Sequence, residues 1–264
     1  MVLSGKPVAE ALQHTQKQRV AASGKTPHLV IIQAGDDLAS TTYIKMKQHY
    51  GQSIGAQVDH IKLSGDLEEL LSTINTYNHD DSVDGIIIQL PLPDTAITDQ
   101  VVTAIAPAKD VDGLGPSSRF ESATAMAVLE LLKFYKVPIK NTLVAMVGRG
   151  RLVGKPLIRL LKDLGATVDI HGRTTSPEDL TKATRAAQLV ISSTGVPGII
   201  KPGMISDGST VIDVGTAEDA GAIVGDVDPT VYDNPAINYT PAKGGVGPIT
   251  VSILFEQLLK AAKI

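Results

Sequence analysis

Short apolar runs rich in β-branched residues recur along the chain, separated by helical patterns. In the first half they occupy residues 28–33, 57–63 and 85–90. Between the last two, Leu67, Leu70, Leu71 and Ile74 recur at i, i+3, i+4 and i+7, one face of a helix. In the second half the runs occupy residues 143–147, 167–170, 189–192 and 210–214, and Val153, Leu157, Leu160, Leu161 and Leu164 form a second helical stripe after the first of them. Pro156 fits that stripe if it lies in the helix's first turn. This alternation predicts the α/β class, with parallel strands covered by helices on both faces. A helical pattern over 122–135 stops before Val137-Pro138 and divides the runs into two arrays. The expected organisation is two α/β lobes with a cleft between them: residues 1–121, a linking helix over 122–137, and residues 138–248. A terminal helix over 249–264, with Ile253, Leu254, Leu258 and Ala261 on one side, is expected to return to the first lobe.

Composition narrows the picture little. The chain has 264 residues, 43% of them hydrophobic, which is ample for a core of this size. Its formal net charge is −4 and it has no basic run, so nothing points to nucleic acid or an anionic membrane. It contains no cysteine, which excludes disulfides and thiolate chemistry. The start, MVLSGKPVAEALQH, turns helical and polar before a long apolar run forms, and no segment has the length of a membrane span. A cytoplasmic protein is the expectation.

Candidate chemistry in the second lobe centres on Gly148-Arg149-Gly150-Arg151-Leu152-Val153-Gly154, between a predicted strand and a predicted helix. Glycines there let backbone approach a phosphate, and the helix N-terminus favours its charge, so this lobe reads as a Rossmann-like dinucleotide-binding domain. The spacing Gly-x-Gly-x-x-x-Gly is not the commoner Gly-x-Gly-x-x-Gly, and a plain structural turn is the competing explanation. After the next strand, His171-Gly172-Arg173 stands where such folds meet the adenosine ribose. An arginine there suits the 2′-phosphate of NADP. Thr194 and Gly195, then Asp213, Val214 and Gly215, follow two further strands on the edge where ligands of open sheets bind.

In the first lobe Tyr43 and Lys47 are one helical turn apart in a segment free of Gly and Pro, hence on one face. That spacing suits either a catalytic phenol and amine or a solvated surface. Gln89-Leu90-Pro91-Leu92-Pro93 and Lys109-Asp110-Val111-Asp112-Gly113 read individually as turns. A short-chain dehydrogenase would also carry Tyr-x-x-x-Lys, but there the glycine-rich turn precedes that motif, and here it follows.

Together with Gly244-Gly-Val-Gly-Pro-Ile-Thr250, these stretches resemble the bifunctional methylenetetrahydrofolate dehydrogenase/cyclohydrolase family over nearly the whole chain. The resemblance implies hydride transfer from 5,10-methylenetetrahydrofolate to NADP, then hydrolysis of the methenyl product to 10-formyltetrahydrofolate. It implies that Lys47 is the catalytic amine, that Tyr43 stacks on the aminobenzoyl ring, that Gln89 bonds the lysine and that Asp112 binds the pterin. Pro91, Gly245, Pro248 and Thr250 would line the folate site, with 244–250 as a loop closing over it. Gly148, Arg149, Gly150, Val153, Gly154, Arg173, Thr194, Gly195, Asp213, Val214 and Gly215 would bind the cofactor. A homodimer is implied by the same resemblance.

The chain departs from that pattern in three places. Residues 117–126 lack the family's usual Asn-x-Gly-x-Leu and Pro-Cys-Thr-Pro stretches, and Gly150 and Gly172 stand where serines are usual. The first leaves open a dehydrogenase without cyclohydrolase activity, or a non-catalytic folate or dinucleotide sensor. The other two leave NAD open beside NADP.

Overall fold

The computed structural model describes residues 1–36, 38–219 and 222–264, and divides into two units. One comprises Glu10–Ala123 and Val251–Ile264, the other Met1–Ala9 and Thr124–Thr250.

The first of these contains most of helix α1 (Gly5–Ser23), then β1 (His28–Ala34), α2 (Leu38–Ile54), β2 (Gln57–Leu63), α3 (Leu67–Asn78), β3 (Gly85–Gln89) and the short α4 (Thr98–Thr103). Its sheet is parallel in the order β2-β1-β3, with Gln33 beside Gln89 in the register. β1 and β3 are buried nearly throughout, which is why they read as unbroken apolar runs rather than alternating ones. Val30, Ile32, Ile86 and Ile88 meet Leu70 and Ile74 of α3 in one core cluster. α3 starts where the Asp66 side chain accepts from the Glu69 backbone N–H.

The end of the chain completes this unit. Phe255 stacks on Tyr50 with ring centroids 5.1 Å apart, and Gln257 Nε2 donates to Val111 O at 2.7 Å. Arg19 bonds both carboxylate oxygens of Glu256 at 2.8 Å and the terminal Ile264 carbonyl at 2.7 Å. α2 comes close enough to β2 that a Cβ on Gly51 would lie 2.4 Å from Val58 Cγ2.

The other unit runs α5 (Ala123–Phe134), β4 (Leu143–Val147), α6 (Gly154–Asp163), β5 (Thr167–His171), α7 (Pro177–Ala186), β6 (Leu189–Ser192), β7 (Thr210–Asp213), the hairpin β8 (Ala217–Asp219) and β9 (Ala222–Val224), β10 (Asn238–Tyr239) and the start of α8 (Val246–Ala261). Five parallel strands form its sheet in the order β10-β7-β6-β4-β5. Residues 1–9 belong here, although the pattern placed 1–121 in one lobe. Val2 bridges Tyr239 in parallel, Leu3 N donates to Tyr239 O at 2.7 Å, and Tyr239 N donates to Met1 O at 3.0 Å. The chain start thus covers the β10 edge, a pairing that no local periodicity encodes.

α8 begins at Val246, three residues before the expected start at 249. Pro248 falls in its first turn, where a missing N–H costs nothing because no intrahelical acceptor faces it.

Candidate active site

On α2, Lys47 Nζ donates to Gln89 Oε1 at 2.9 Å. Gln89 is buried at the C-terminal end of β3, and its Nε2 donates to Leu90 O at 3.0 Å, which turns the amide oxygen toward the lysine. Burial pulls the Lys47 amine below its ordinary range, and the Asp112 carboxylate opposes that shift. Asp112 is pushed up by burial, with Lys47 pulling it down and Asp110 adding to the rise. The amine, amide and carboxyl are therefore brought together, and the lysine is held by a neutral partner that does not fix its charge. Tyr43 is half-buried one turn before Lys47, whereas Pro91 is exposed beyond a cis Leu90–Pro91 peptide.

The stretch 109–113 reads in sequence simply as a turn, but its polar side chains have different duties. Lys109 Nζ donates to the carbonyls of Tyr77 and Asp80 at 2.8 and 2.7 Å, tying down the end of α3. Asp110 is 2% exposed and accepts from the backbone N–H of Gly113, Leu114 and Gly115 at 3.1, 3.4 and 2.7 Å. Asp112 is left to face Lys47. The departing segment folds back on this turn: Ala123 N donates to Asp112 O at 3.1 Å and Ser118 Oγ to Asp110 O at 3.1 Å. Gly113, at φ +70°, allows this, since a Cβ there would sit 2.2 Å from Glu121 O.

Sequence reasoning passed over Gln33. It is 1% exposed, lies beside Gln89 in the sheet, bonds Thr41 Oγ1 at 3.3 Å and approaches His60 Nε2 to 2.9 Å. The available signal was a glutamine at or next to the end of each of two apolar strands.

In the other unit, β4 runs into Gly148 at φ +98°, where a Cβ would lie 2.8 Å from Ser193 O. A Cβ on Gly154, the first residue of α6, would lie 2.5 Å from Gly148 O. Both glycines are therefore required by close backbone approach. Val153 precedes α6 without a side-chain cap; Lys155 N donates to Gly150 O at 2.9 Å and Pro156 has no N–H, so it is the Gly154 N–H at the helix start that a ligand could meet. Such a turn can receive a phosphate group by close backbone approach. Arg149, Gly150, Gly172 and Arg173 are all exposed, and a Cβ on either of those two glycines would meet nothing within 4 Å. The missing hydroxyls thus reflect no packing demand.

His171 ends β5 buried, its Nε2 3.0 Å from Asp169 Oδ2. Thr194, Val214 and Gly215 are half-buried at the ends of β6 and β7, and Gly195 is exposed at φ +69°. Val214 N donates to Ser192 O at 2.8 Å. Asp213 turns inward: it is 6% exposed and accepts from the N–H groups of Gly215, Asp226 and Val227 at 3.2, 3.1 and 3.1 Å. Its carboxyl shapes the strand end rather than presenting itself at it. Gly244 and Gly245 form a turn against Gly5, whose N–H donates to Gly244 O at 2.8 Å. Val246, Pro248 and Thr250 are already helical, so the expected loop over 244–250 is a short turn followed by the first turn of α8.

Family models match in two parts: the tetrahydrofolate dehydrogenase/cyclohydrolase catalytic domain over residues 3–112, and the NAD(P)-binding domain of the same family over 122–264. The chain belongs to the tetrahydrofolate dehydrogenase/cyclohydrolase family. It is 37% identical to the bifunctional protein FolD of Halothermothrix orenii, over 99% of this chain and 98% of that one. Among solved structures, the bifunctional FolD methylenetetrahydrofolate dehydrogenase/cyclohydrolase of Campylobacter jejuni matches with a TM-score of 0.92 at 35% identity, covering 100% of this chain and 98% of that chain. The Trypanosoma brucei enzyme, solved with NADP and an inhibitor, matches with a TM-score of 0.94 at 31% identity, covering 100% and 97%. In this family member the glycine-rich turn and the Lys47–Gln89 pair lie in the portions matched by the NAD(P)-binding and catalytic models respectively.

Proposed function

We propose that Lys47, Gln89, Asp112 and Tyr43 carry the chemistry of a bifunctional folate enzyme. The chain oxidises 5,10-methylenetetrahydrofolate with NADP and hydrolyses the resulting methenyl cation to 10-formyltetrahydrofolate, a sequence of one-carbon metabolism. The observation that carries the assignment is the Lys47 amine, pulled below its ordinary range and bonded to a neutral amide at 2.9 Å.

In the first step the methylene carbon loses a hydride, and NADP supplies the acceptor carbon. The role of Tyr43 is to present a flat apolar face to the conjugated ring, and that of Asp112 is to take two hydrogen bonds from the amino-pyrimidinone edge of the pterin. In the second step water adds to the methenyl carbon and loses a proton, then the carbinol O–H releases its proton to solvent as the ring C–N bond opens to the formyl group and the ring nitrogen is protonated. A lysine of lowered pKa can accept the first proton and return it to the nitrogen. Gln89 orients that amine without holding it charged, as a carboxylate would.

The diphosphate of NADP would lie on the turn from Gly148 to Gly154, with Val153 and the Gly154 N–H at the start of α6. Arg149 and Arg173 would meet the 2′-phosphate, and Gly150 leaves room beside it. Thr194, Gly195, Val214 and Gly215 would border the rest of the cofactor. Gly245, Pro248 and Thr250 are assigned to the folate site by family pattern, as is exposed Pro91. The inferred domains are a folate-binding domain that includes the end of α8 and a dinucleotide-binding domain.

A cytoplasmic homodimer is the inferred form. β5 is an edge strand of mixed polarity, and Ile170 on it is 39% exposed, so its edge could pair with that of a second copy. An absorbance assay with methylenetetrahydrofolate and either NADP or NAD, following methenyl formation and decay, tests the whole reading. Absence of methenyl decay above the uncatalysed rate would remove Lys47's role.

A further inference from the structure

Two buried acids, Asp213 and Asp226, meet behind the ends of β6 and β7. Asp226 is fully buried, in the segment between β9 and the next turn. Its Oδ2 accepts from Thr194 N at 2.6 Å and from Ser192 Oγ at 2.7 Å. Its Oδ1 is buried with no hydrogen-bond partner and faces Gly215, where a Cβ would stand 1.9 Å away. Asp213 reciprocates by accepting from the Asp226 and Gly215 N–H groups, and Gly225 lies against its carboxyl just as Gly215 lies against that of Asp226. Tyr232 packs on the pair, its hydroxyl 3.5 Å from Asp213 Oδ2 and its ring stacked on Tyr239.

An unpartnered carboxylate oxygen next to a second acid is costly in a protein interior, and packing alone would be better served by apolar side chains. The arrangement costs stability where it stands, and what it fixes is the spacing of two loop backbones. Burial pushes the Asp213 carboxyl up to about 6, with the Asp226 charge adding to the rise.

We propose that Asp226 is a positioning residue for the dinucleotide: bonded to Thr194 and lying flat on Gly215, it sets the distance between the two loops that border the cofactor. This rests on the reading that the dinucleotide lies at the ends of β6 and β7. Asp226 touches no ligand itself. It acts through the Thr194 N–H, whose direction fixes Gly195, and through Gly215, which cannot move toward β6 without meeting the carboxyl.

The test is steady-state kinetics of both reactions in Asp226→Ala, Asp226→Asn and Gly154→Ala. Asp226→Ala is expected to raise the dinucleotide KM of the dehydrogenase by about tenfold or more, with much less change in kcat. The cyclohydrolase reaction uses no dinucleotide, so its rate should stay within about twofold and reports that the protein is folded. Asp226→Asn retains a carbonyl oxygen for Thr194 and should recover most of the affinity. Ser192→Ala removes only one of the two donors to Asp226 and is expected to raise KM by roughly 2–10-fold, which keeps the proposal testable if the alanine variant does not fold. An unchanged KM in Asp226→Ala or Ser192→Ala, with Gly154→Ala impaired, would overturn the positioning role while the cofactor site stands. An unchanged KM in Gly154→Ala as well would overturn the site with it.

Discussion

The Lys47 cluster and the glycine-rich turn are built in opposite ways. Around Lys47 the groups that meet are side chains: the amine is bonded to the Gln89 amide, and the amine and the Asp112 carboxyl are both shifted by burial from their ordinary ionisation. Around Gly148 they are backbone groups, and the charged side chains Arg149 and Arg173 stand in solvent. Proton transfer needs an amine whose affinity for a proton is tuned, which only desolvation and fixed neighbours supply. Phosphate recognition needs N–H groups and close approach, which glycine and a helix start supply without tuning. The first site is therefore sensitive to chemistry and the second to volume.

That contrast is broken most directly at Lys47. Lys47→Met should cut cyclohydrolase turnover by ~10²–10⁴-fold, whereas hydride transfer, which moves no proton in its own step, should fall far less. Parallel assays of the two reactions on one preparation decide it. Equal losses in both would place Lys47 in binding alone.

Gly148→Ala probes volume at the other site. Its Cβ would lie 2.8 Å from Ser193 O at a φ of +98°, and strain of roughly 1–3 kcal/mol should weaken dinucleotide binding by about 5–150-fold. Titration of the protein with NADP measures it, and an affinity within twofold of the parent would show that backbone approach is not limiting there.

Specificity should be the easiest property to move, because it rests on exposed groups. Arg173→Ala should reduce kcat/KM with NADP by roughly tenfold and leave NAD nearly unchanged. Gly150→Ser should do the reverse on a smaller scale, raising NADP preference by about 2–10-fold, since a Cβ there meets nothing. A preference for NAD in the unmodified protein would instead assign both arginines to solvent.

The smallest effect expected is a pH shift. The Asp112 carboxylate raises the Lys47 pKa against the larger depression from burial. Removing that charge in Asp112→Asn should therefore move the Lys47-linked limb of the cyclohydrolase pH profile to lower pH, on top of any loss in folate affinity. A limb that stays put, or moves up, would mean that the two groups do not share a field.

Much of this protein lies on the surface of its sequence. The parallel strands announced themselves because burial on both faces leaves unbroken runs such as 85–89, and the bounds of β2, β4 and β6 follow the pattern to the residue. Tyr43 and Lys47 share a face because helical geometry alone requires it. The glycines at 148 and 154 could be read from their place between a strand and a helix. These are local facts, set by periods of two and 3.6 residues and by the absence of a side chain.

What the sequence left open depends on partners distant along the chain. Lys109, Asp110 and Asp112 are neighbours of similar polarity, and only folding assigns the first to α3, the second to backbone N–H groups and the third to Lys47. Gln33 came to lie beside Gln89 only through the register of β1 and β3. Residues 1–9 joined the β10 edge, and Asp226 reached Thr194, through pairings across long stretches of chain. A charge or amide in sequence carries no direction. Its partner is chosen when burial makes an unpaired polar group too costly, and that cost exists only once the tertiary structure has removed the water.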